Sequence, residues 1–425
     1  MDLLVVLWRL GYILAPSFAP QGVPPGMERH QARFLALALP VLPVLVLLSG
    51  LAMAPLVAVL TLVLWGLGGW RMPRGGLDLP TLLAGGLLLA WSAASALWAP
   101  DIAFALKTTA SLAAILLAAT LLLAELRRLP AARLDAALSR LAIGLAIAFM
   151  VMILGRLAYQ ATVLLATDAE RVRQVFRIVQ RDDRGATAAV LLLWPALSCL
   201  LRGGRRRAAL GLLALALVGV VCTFDLAAKV ALLLGILAVA GSRLAPRLMP
   251  AAVLGAVLLA MLGAPLAAGA LPSPEANARL GLPTSLHHRL TIWRYVAGRI
   301  DEHPWLGFGM ESARTLGESR SVAVTFPDGN KIDEELLPLH PHDGPLQIRL
   351  ELGLPGALLA AGFIALLCRR LIGRPGVGVG VLTGGFLIAA VSYGVWQSWW
   401  LLALVLAGSL SAAVDGKREV NSSSV

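Results

Sequence analysis

The sequence predicts an all-α polytopic membrane protein, and three observations carry the prediction. Of its 425 residues, 58% are hydrophobic and only 14% charged, and mean hydropathy is +0.81. The apolar residues form continuous Leu/Ala/Val runs of roughly the 20 residues a helix needs to cross a bilayer, without the alternation of a membrane barrel. Backbone satisfaction in lipid then leaves helices as the spanning structure. Arginines, finally, collect in every second loop between the runs, so the formal net charge of +12 is a topology signal and not the mark of a nucleic-acid partner.

In chain order, residues 1–26 form an N-terminal extension of unknown role. The stretch MDLLVVLWRLGYILAPSFAPQGVPPG is interrupted by Arg9, ends rich in Pro and Gly, is too short to span, and lacks the basic start of a signal peptide. A hydropathy window of about 19 residues then finds twelve spans, near 34–51, 53–70, 79–97, 102–124, 141–165, 185–201, 207–224, 226–241, 248–269, 344–367, 375–394 and 396–414. Nine of these belong to a first membrane block, 27–270, and three to a second, 344–414. Between the blocks lies a large polar loop, 271–343, and a short tail, 415–425, closes the chain. Cys199 and Cys222 fall in apolar runs and Cys368 at the end of another, so no disulfide framework is expected.

Orientation follows from loop parity. Arg71/Arg74, Arg127/Arg128/Arg133/Arg140, Arg202/Arg205/Arg206/Arg207, Arg243/Arg247, Arg369/Arg370/Arg374 and Lys417/Arg418 occupy alternate connections. This places both termini in the cytoplasm and the 271–343 loop outside, which in a cell with two membranes is the periplasm. The exception is 166–184, ATDAERVRQVFRIVQRDDR, which reads as a solvated amphipathic helix on the outer side, with Arg184 as the last charge before the sixth span. On the same side, Asp225 and Lys229 stand four residues apart, a spacing at which they can pair on a helix. Lys229 also lies inside an apolar run, where an ionisable group is costly unless it has a partner or a function.

The large loop and the start of the next span carry five of the six histidines, namely His287, His288, His303, His340 and His342. Thr284 or Ser285 is positioned to cap a helix running to about Ile300, and Arg289, Ile292, Trp293 and Val296 share one face of it. An arginine drawn onto an apolar face is accounted for by an anionic partner or by packing against Trp293. Asp343 is a good N-cap and Pro345 suits the first turn of the following span, so His342 precedes a helix N-terminus, where partial positive charge attracts phosphate and disfavours imidazolium. Arg184, Lys229 and Arg289 thus deliver cations to one membrane face, a set suited to a diphosphate headgroup. No DxD-type metal site accompanies them; Asp182 and Asp183 are adjacent and point apart on a helix.

HRLTIWRYVAGRIDEHPWLGFG, followed by HPHDGPLQIRLELGLPG, resembles the signature region of the O-antigen ligase and polymerase superfamily. The ligase motif H-[N/S/Q]-x9-G-x-x-[G/T/Y] is matched by His342, Asp343, Gly353 and Gly356, with Asp343 replacing the amide or hydroxyl residue. Arg289 matches the arginine at the head of the loop helix and Arg184 the one opening a span after an outer loop. Lys229 in TFDLAAK stands for the hairpin arginine. The resemblance implies a C-class membrane glycosyltransferase that needs neither metal nor nucleotide. It implies transfer of a glycan from undecaprenyl diphosphate to a sugar hydroxyl of lipid A-core oligosaccharide, at the periplasmic face of the bacterial inner membrane, in lipopolysaccharide biosynthesis.

Under that implication the reaction is an inverting displacement. His342, helped by His340, accepts the acceptor proton, and Arg184, Lys229 and Arg289 stabilise the departing diphosphate. His342 as an orienting group is an open alternative. The nearest rival function is an O-antigen polymerase, which takes a lipid-linked glycan as acceptor. A transporter for a lipid-linked anion would instead require charges near the bilayer midplane, where these spans are nearly uncharged.

Overall fold

A computed structural model of the chain describes residues 26–70, 75–165, 168–180, 182–317, 320–326, 329–369 and 376–422. The N-terminal extension up to residue 25, together with Arg71, Arg74, Arg370 and Arg374, lies outside the described residues. The helices are α1 (Met27–Leu48), α2 (Met53–Leu67), α3 (Leu79–Ser95), α4 (Ile102–Arg128), α5 (Ala131–Leu165), α6 (Ala169–Gln180), α7 (Asp182–Arg202), α8 (Arg206–Cys222), α9 (Leu226–Leu244) and α10 (Leu248–Gly269). After them come α11 (Pro274–Ala278), α12 (Thr284–Glu302), α13 (Ala313–Leu316), strands β1 (Ser321–Thr325) and β2 (Lys331–Glu335), then α14 (Gly344–Cys368), α15 (Gly378–Val391) and α16 (Ser398–Ser422).

Each of the twelve apolar runs holds one helix, and among the described residues nine helices are long and apolar enough to cross a membrane. The other three are shorter: α8 has 17 residues, α15 has 14, and the apolar part of α16 is Ser398–Val414. In the other direction, α5 outruns its apolar stretch. Its 35 residues, at about 1.5 Å each, exceed the roughly 30 Å hydrocarbon core, so it projects from the membrane.

The bundle is organised around α7. Its span is 89% buried, against 22–44% for the other eight, which turn leucines such as Leu37, Leu83 and Leu237 outward as lipid-facing groups require. Small residues make the centre possible. Gly185, Ala186, Ala188 and Ala189 let α7 approach its neighbours closely, and Gly185 lies against Leu47 of α1. The basic loops gather at one end of the bundle. There Arg133 meets Glu28 at 3.7 Å, Arg202 meets Asp135 at 2.6 Å, Arg128 meets Glu125 at 2.8 Å, and Arg369 pairs with Asp78.

At the opposite end, α12 packs through Ile292 and Val296, both fully buried, and ties itself down when Trp293 Nε1 donates to Pro341 O (3.0 Å). The expected cap by Thr284 or Ser285 is not formed. The helix starts at Pro283, whose carbonyl accepts from the Leu286 and His287 amides, so Thr284 and Ser285 sit inside the first turn. Residues 321–335 add an antiparallel hairpin, with Ser321 opposite Glu335 and Thr325 opposite Lys331. Its Glu334 is buried, accepting from His287 Nδ1 (2.7 Å) and Thr291 (3.0 Å), while His287 Nε2 donates to Pro274 O and His288 Nε2 to Glu335 O, both at 2.9 Å. These two histidines clamp the loop.

The two halves of the signature are physically joined. Pro355 has no amide hydrogen and its ring excludes the carbonyl four residues back, and Gly353 takes φ +63°, so α14 breaks in its second and third turns. The freed carbonyls are taken up from outside: Leu350 O by Phe308 N (2.9 Å), Glu351 O by Gly309 N (2.9 Å) and Leu352 O by Trp91 Nε1 (2.9 Å). In return Leu354 N donates to Trp305 O (3.1 Å). A side chain on Gly353 would strike the Trp305 carbonyl, and one on Gly307 (φ +68°) would strike the Glu351 backbone. The WLGFG loop is therefore a splint for the broken helix.

Candidate active site

Two aspartates set the floor of the site by capping helices. Asp343 accepts from Leu346 N at 2.8 Å and starts α14, as its sequence context predicts. Burial pushes its carboxyl up to about 7, against the opposing Leu346 hydrogen bond. Asp225 caps α9 through Ala228 N (3.1 Å) and accepts from Thr187 of α7 (2.9 Å). Burial raises its pKa too, opposed by these hydrogen bonds and by the Arg289 charge. The expected Asp225–Lys229 ion pair is not formed, because the carboxylate is engaged by the cap and Thr187. Lys229, half-buried one turn into α9, makes no side-chain hydrogen bond or ion pair among the described residues.

His342 sits one residue before the α14 cap with φ +56°, a left-handed conformation uncommon for a side-chain-bearing residue. Its Nδ1 is 2.5 Å from Ser392 O. A carbonyl only accepts, so this hydrogen bond assigns the proton to Nδ1 and leaves the Nε2 lone pair free of any partner among the described residues. Burial lowers the pKa of His342, the Ser392 contact opposes this, and the charge of Arg289 and proximity of His288 add to the lowering. The imidazole is accordingly neutral at neutral pH.

His340 stacks edge-on at 4.3 Å between ring centroids, but its situation differs. Its Nδ1 accepts from the His342 amide (3.3 Å), and its Nε2 faces the Gln397 amide nitrogen (3.2 Å). Burial, then His342 and Arg314, lower its pKa to about 4. With its Nδ1 lone pair taken by the His342 amide and the ring proton therefore on Nε2, the ring props His342 and is a poor proton acceptor.

Arg289 reaches the cluster half-buried from α12. Its Nε is buried without a hydrogen-bond partner, and NH1 has only a long 3.5 Å contact to Ser285 O. Burial lowers its pKa, while the charges of Asp225 and Tyr393 hold it up. Tyr393 hydrogen bonds with Thr187 and Ser392, and burial, with Asp225 next, pushes its phenol well above the ordinary value. Trp399 packs edge-on against Tyr393 at 4.6 Å, and the exposed Arg184 lies over Trp399 at 5.9 Å. Of the residues singled out from sequence, His340 and His342 are in ring contact, the Arg289 charge acts on His342, Arg184 joins through aromatic contacts, and Lys229 lies one turn along α9 from Asp225.

Ser392, Tyr393, Gln397 and Trp399 are hidden in the hydropathy pattern, in which the last two apolar runs nearly abut. The polar and aromatic density of SYGVWQSWW is the signal that marks this turn. Chemically, the assembly offers a lone pair that can take a proton, beside a guanidinium with unspent donors that can hold an oxyanion.

Residues 211–361, running from within α8 to the far half of α14 and so including Asp225, Arg289 and His342, match the family model described as O-Antigen ligase. The chain is similar to the "Putative polysaccharide ligase" of Rickettsia felis, 28% identical over 52% of this chain and 54% of that protein. A protein of the same printed description from Rickettsia bellii is 34% identical over 33% of this chain and 35% of its own. The chain thus spans about half the length of the curated relatives it matches most extensively. No solved structure matches it. The all-helical membrane architecture and the joined signature segments thus stand beside a similarity, over part of the chain, to the O-Antigen ligase family model and to polysaccharide ligases.

Proposed function

We propose that the protein is an O-antigen ligase, transferring a glycan from undecaprenyl diphosphate to a sugar hydroxyl of lipid A-core oligosaccharide at the periplasmic face of the inner membrane. The observation that carries this reading is the juxtaposition of two unsatisfied groups. His342 Nε2 is a free lone pair on a ring fixed by Ser392, and Arg289, whose charge acts on that ring, has a buried Nε with no partner among the described residues. The first suits a hydroxyl about to lose its proton and the second a diphosphate oxygen.

In the step we envisage, the acceptor oxygen attacks the anomeric carbon while its proton passes to His342 Nε2. The bond from that carbon to the diphosphate oxygen breaks on the opposite face, so configuration inverts and the electron pair leaves on the diphosphate. Arg289, with Arg184 at the outer edge, stabilises the charge as it develops; Lys229 is available from α9 to a long lipid-linked donor. The proton then passes from His342 to solvent. His340 and Ser392 hold the ring and are positioning residues.

The test is transfer by purified protein supplied with undecaprenyl-diphosphate glycan, with and without lipid A-core. Glycan on lipid A-core supports the ligase, whereas chain growth on the lipid carrier alone assigns the protein to the polymerases and refutes the acceptor. The rate should fall with acid below the ordinary histidine value of 6.5, because the folded pKa of His342 lies lower. A rate independent of pH through that range would remove His342 as the base.

A further inference from the structure

A second site lies on the other side of the His340 ring. A cavity of about 220 Å³ opens there between the first turns of α4, the loop before α13 and the 394–398 turn. Pockets for drug-sized ligands run to roughly 300–1,000 Å³, so this one suits a single sugar ring. Its wall is mixed in the way a sugar needs. Trp396 contributes an aromatic surface, Gln397 and the Glu311–Arg314 pair (2.9 Å) contribute polar groups, and His340 forms the wall shared with the candidate active site. At the rim Lys107 is exposed, with Nζ 5.9 Å from the Phe104 ring and no carboxylate partner among the described residues.

We propose that this cavity is the acceptor subsite and that it takes a sugar bearing an acidic group, carboxylate or phosphate, which pairs with Lys107. The inference rests on the transferase reading, since an acceptor hydroxyl must reach His342, and the cavity is one imidazole away from it. Glu311 supports the same geometry. Its carboxylate accepts from Thr108 (2.9 Å) and from Arg314, and its amide donates to Glu351 Oε2 (2.7 Å), where Trp396 Nε1 also donates (2.7 Å). The polar wall is therefore braced from behind and remains shaped when no sugar is bound.

The test uses the purified full-length chain without donor, and measures binding of glucose 1-phosphate, glucuronate and glucose by saturation-transfer NMR. Either acidic sugar should bind about tenfold tighter than glucose, as expected for one charge-assisted hydrogen bond. The preferred one identifies the acidic group. Lys107→Ala should erase the preference while Arg289→Ala keeps it; the opposite pattern means that the acidic sugars occupy the diphosphate site, and overturns the proposal. In the transfer assay Lys107→Ala should raise acceptor KM about tenfold, with kcat and donor KM unchanged. Acidic-sugar preference without any transfer would sink the transferase reading and spare the cavity. Transfer with acceptor KM unaltered in Lys107→Ala would sink the cavity and spare the enzyme.

Discussion

Replacing Asp343 by Asn tests the electrostatics of the site floor. Asp343 departs from the amide or hydroxyl residue of the ligase motif, yet Asn caps a helix as well as Asp does, so the change removes a charge and keeps the structure. Burial raises the Asp343 pKa from the ordinary 3.8 to about 7. Because the folded value is the higher one, the favourable contribution is fully present below the unfolded pKa and is lost as pH rises to about 7, beyond which the loss levels off. At about 1.4 kcal/mol per pH unit, that gap sets a ceiling near 4 kcal/mol. Asp343 is half-buried, so water relaxes part of the penalty and about 2 kcal/mol is the working figure. Thermal unfolding of both proteins in one detergent, at about pH 5 and about pH 8, should show Asp343→Asn gaining on wild type as pH rises. An equal difference at both pH values would show that Asp343 ionises as an ordinary aspartate, and the described floor would be wrong.

Other outcomes follow from the same contacts. Gly353→Ala puts a side chain at φ +63° and against the Trp305 carbonyl, which should cost about 3 kcal/mol and expose residues 303–309 to limited proteolysis; an unchanged melt and digest would refute the splint. Glu334→Ala strands His287 and Thr291 in a buried site and should cost about 2–4 kcal/mol, read as faster hydrogen exchange across 321–335, with unaltered exchange counting against the clamp. Arg289→Gln should slow transfer by about 10²–10³. It should also move the acid limb up toward 6.5, because a cation that lowers the His342 pKa is gone; a limb that stays put would separate the two residues.

The parts of this protein visible in its sequence are those decided by local chemistry. Continuous apolar runs dictate where helices form, and Asp343 ahead of Gly344 and Pro345 is a cap by composition alone. Arg289 and His342 were both marked by their helix-end and helix-face positions, and in the fold the Arg289 charge acts on His342. What stayed hidden depends on contacts distant in sequence. Asp225 suggests a pair with Lys229 by spacing, but Thr187, 38 residues earlier, takes the carboxylate. His340 and His342 look equivalent around Pro341, and only the partners Gln397 and Ser392 separate a prop from a free lone pair. The hairpin is legible in principle from alternating SVAVT, yet its purpose, burying Glu334 against His287, is not.

The central claim is that a neutral His342 takes the acceptor proton beside a diphosphate held by Arg289. The most direct measurement is single-turnover transfer from undecaprenyl-diphosphate glycan to lipid A-core by wild type and His342→Ala, with donor binding followed in parallel. The account predicts a loss of about 10²–10⁴ in the chemical step with donor affinity retained. Transfer at the wild-type rate in His342→Ala would contradict it.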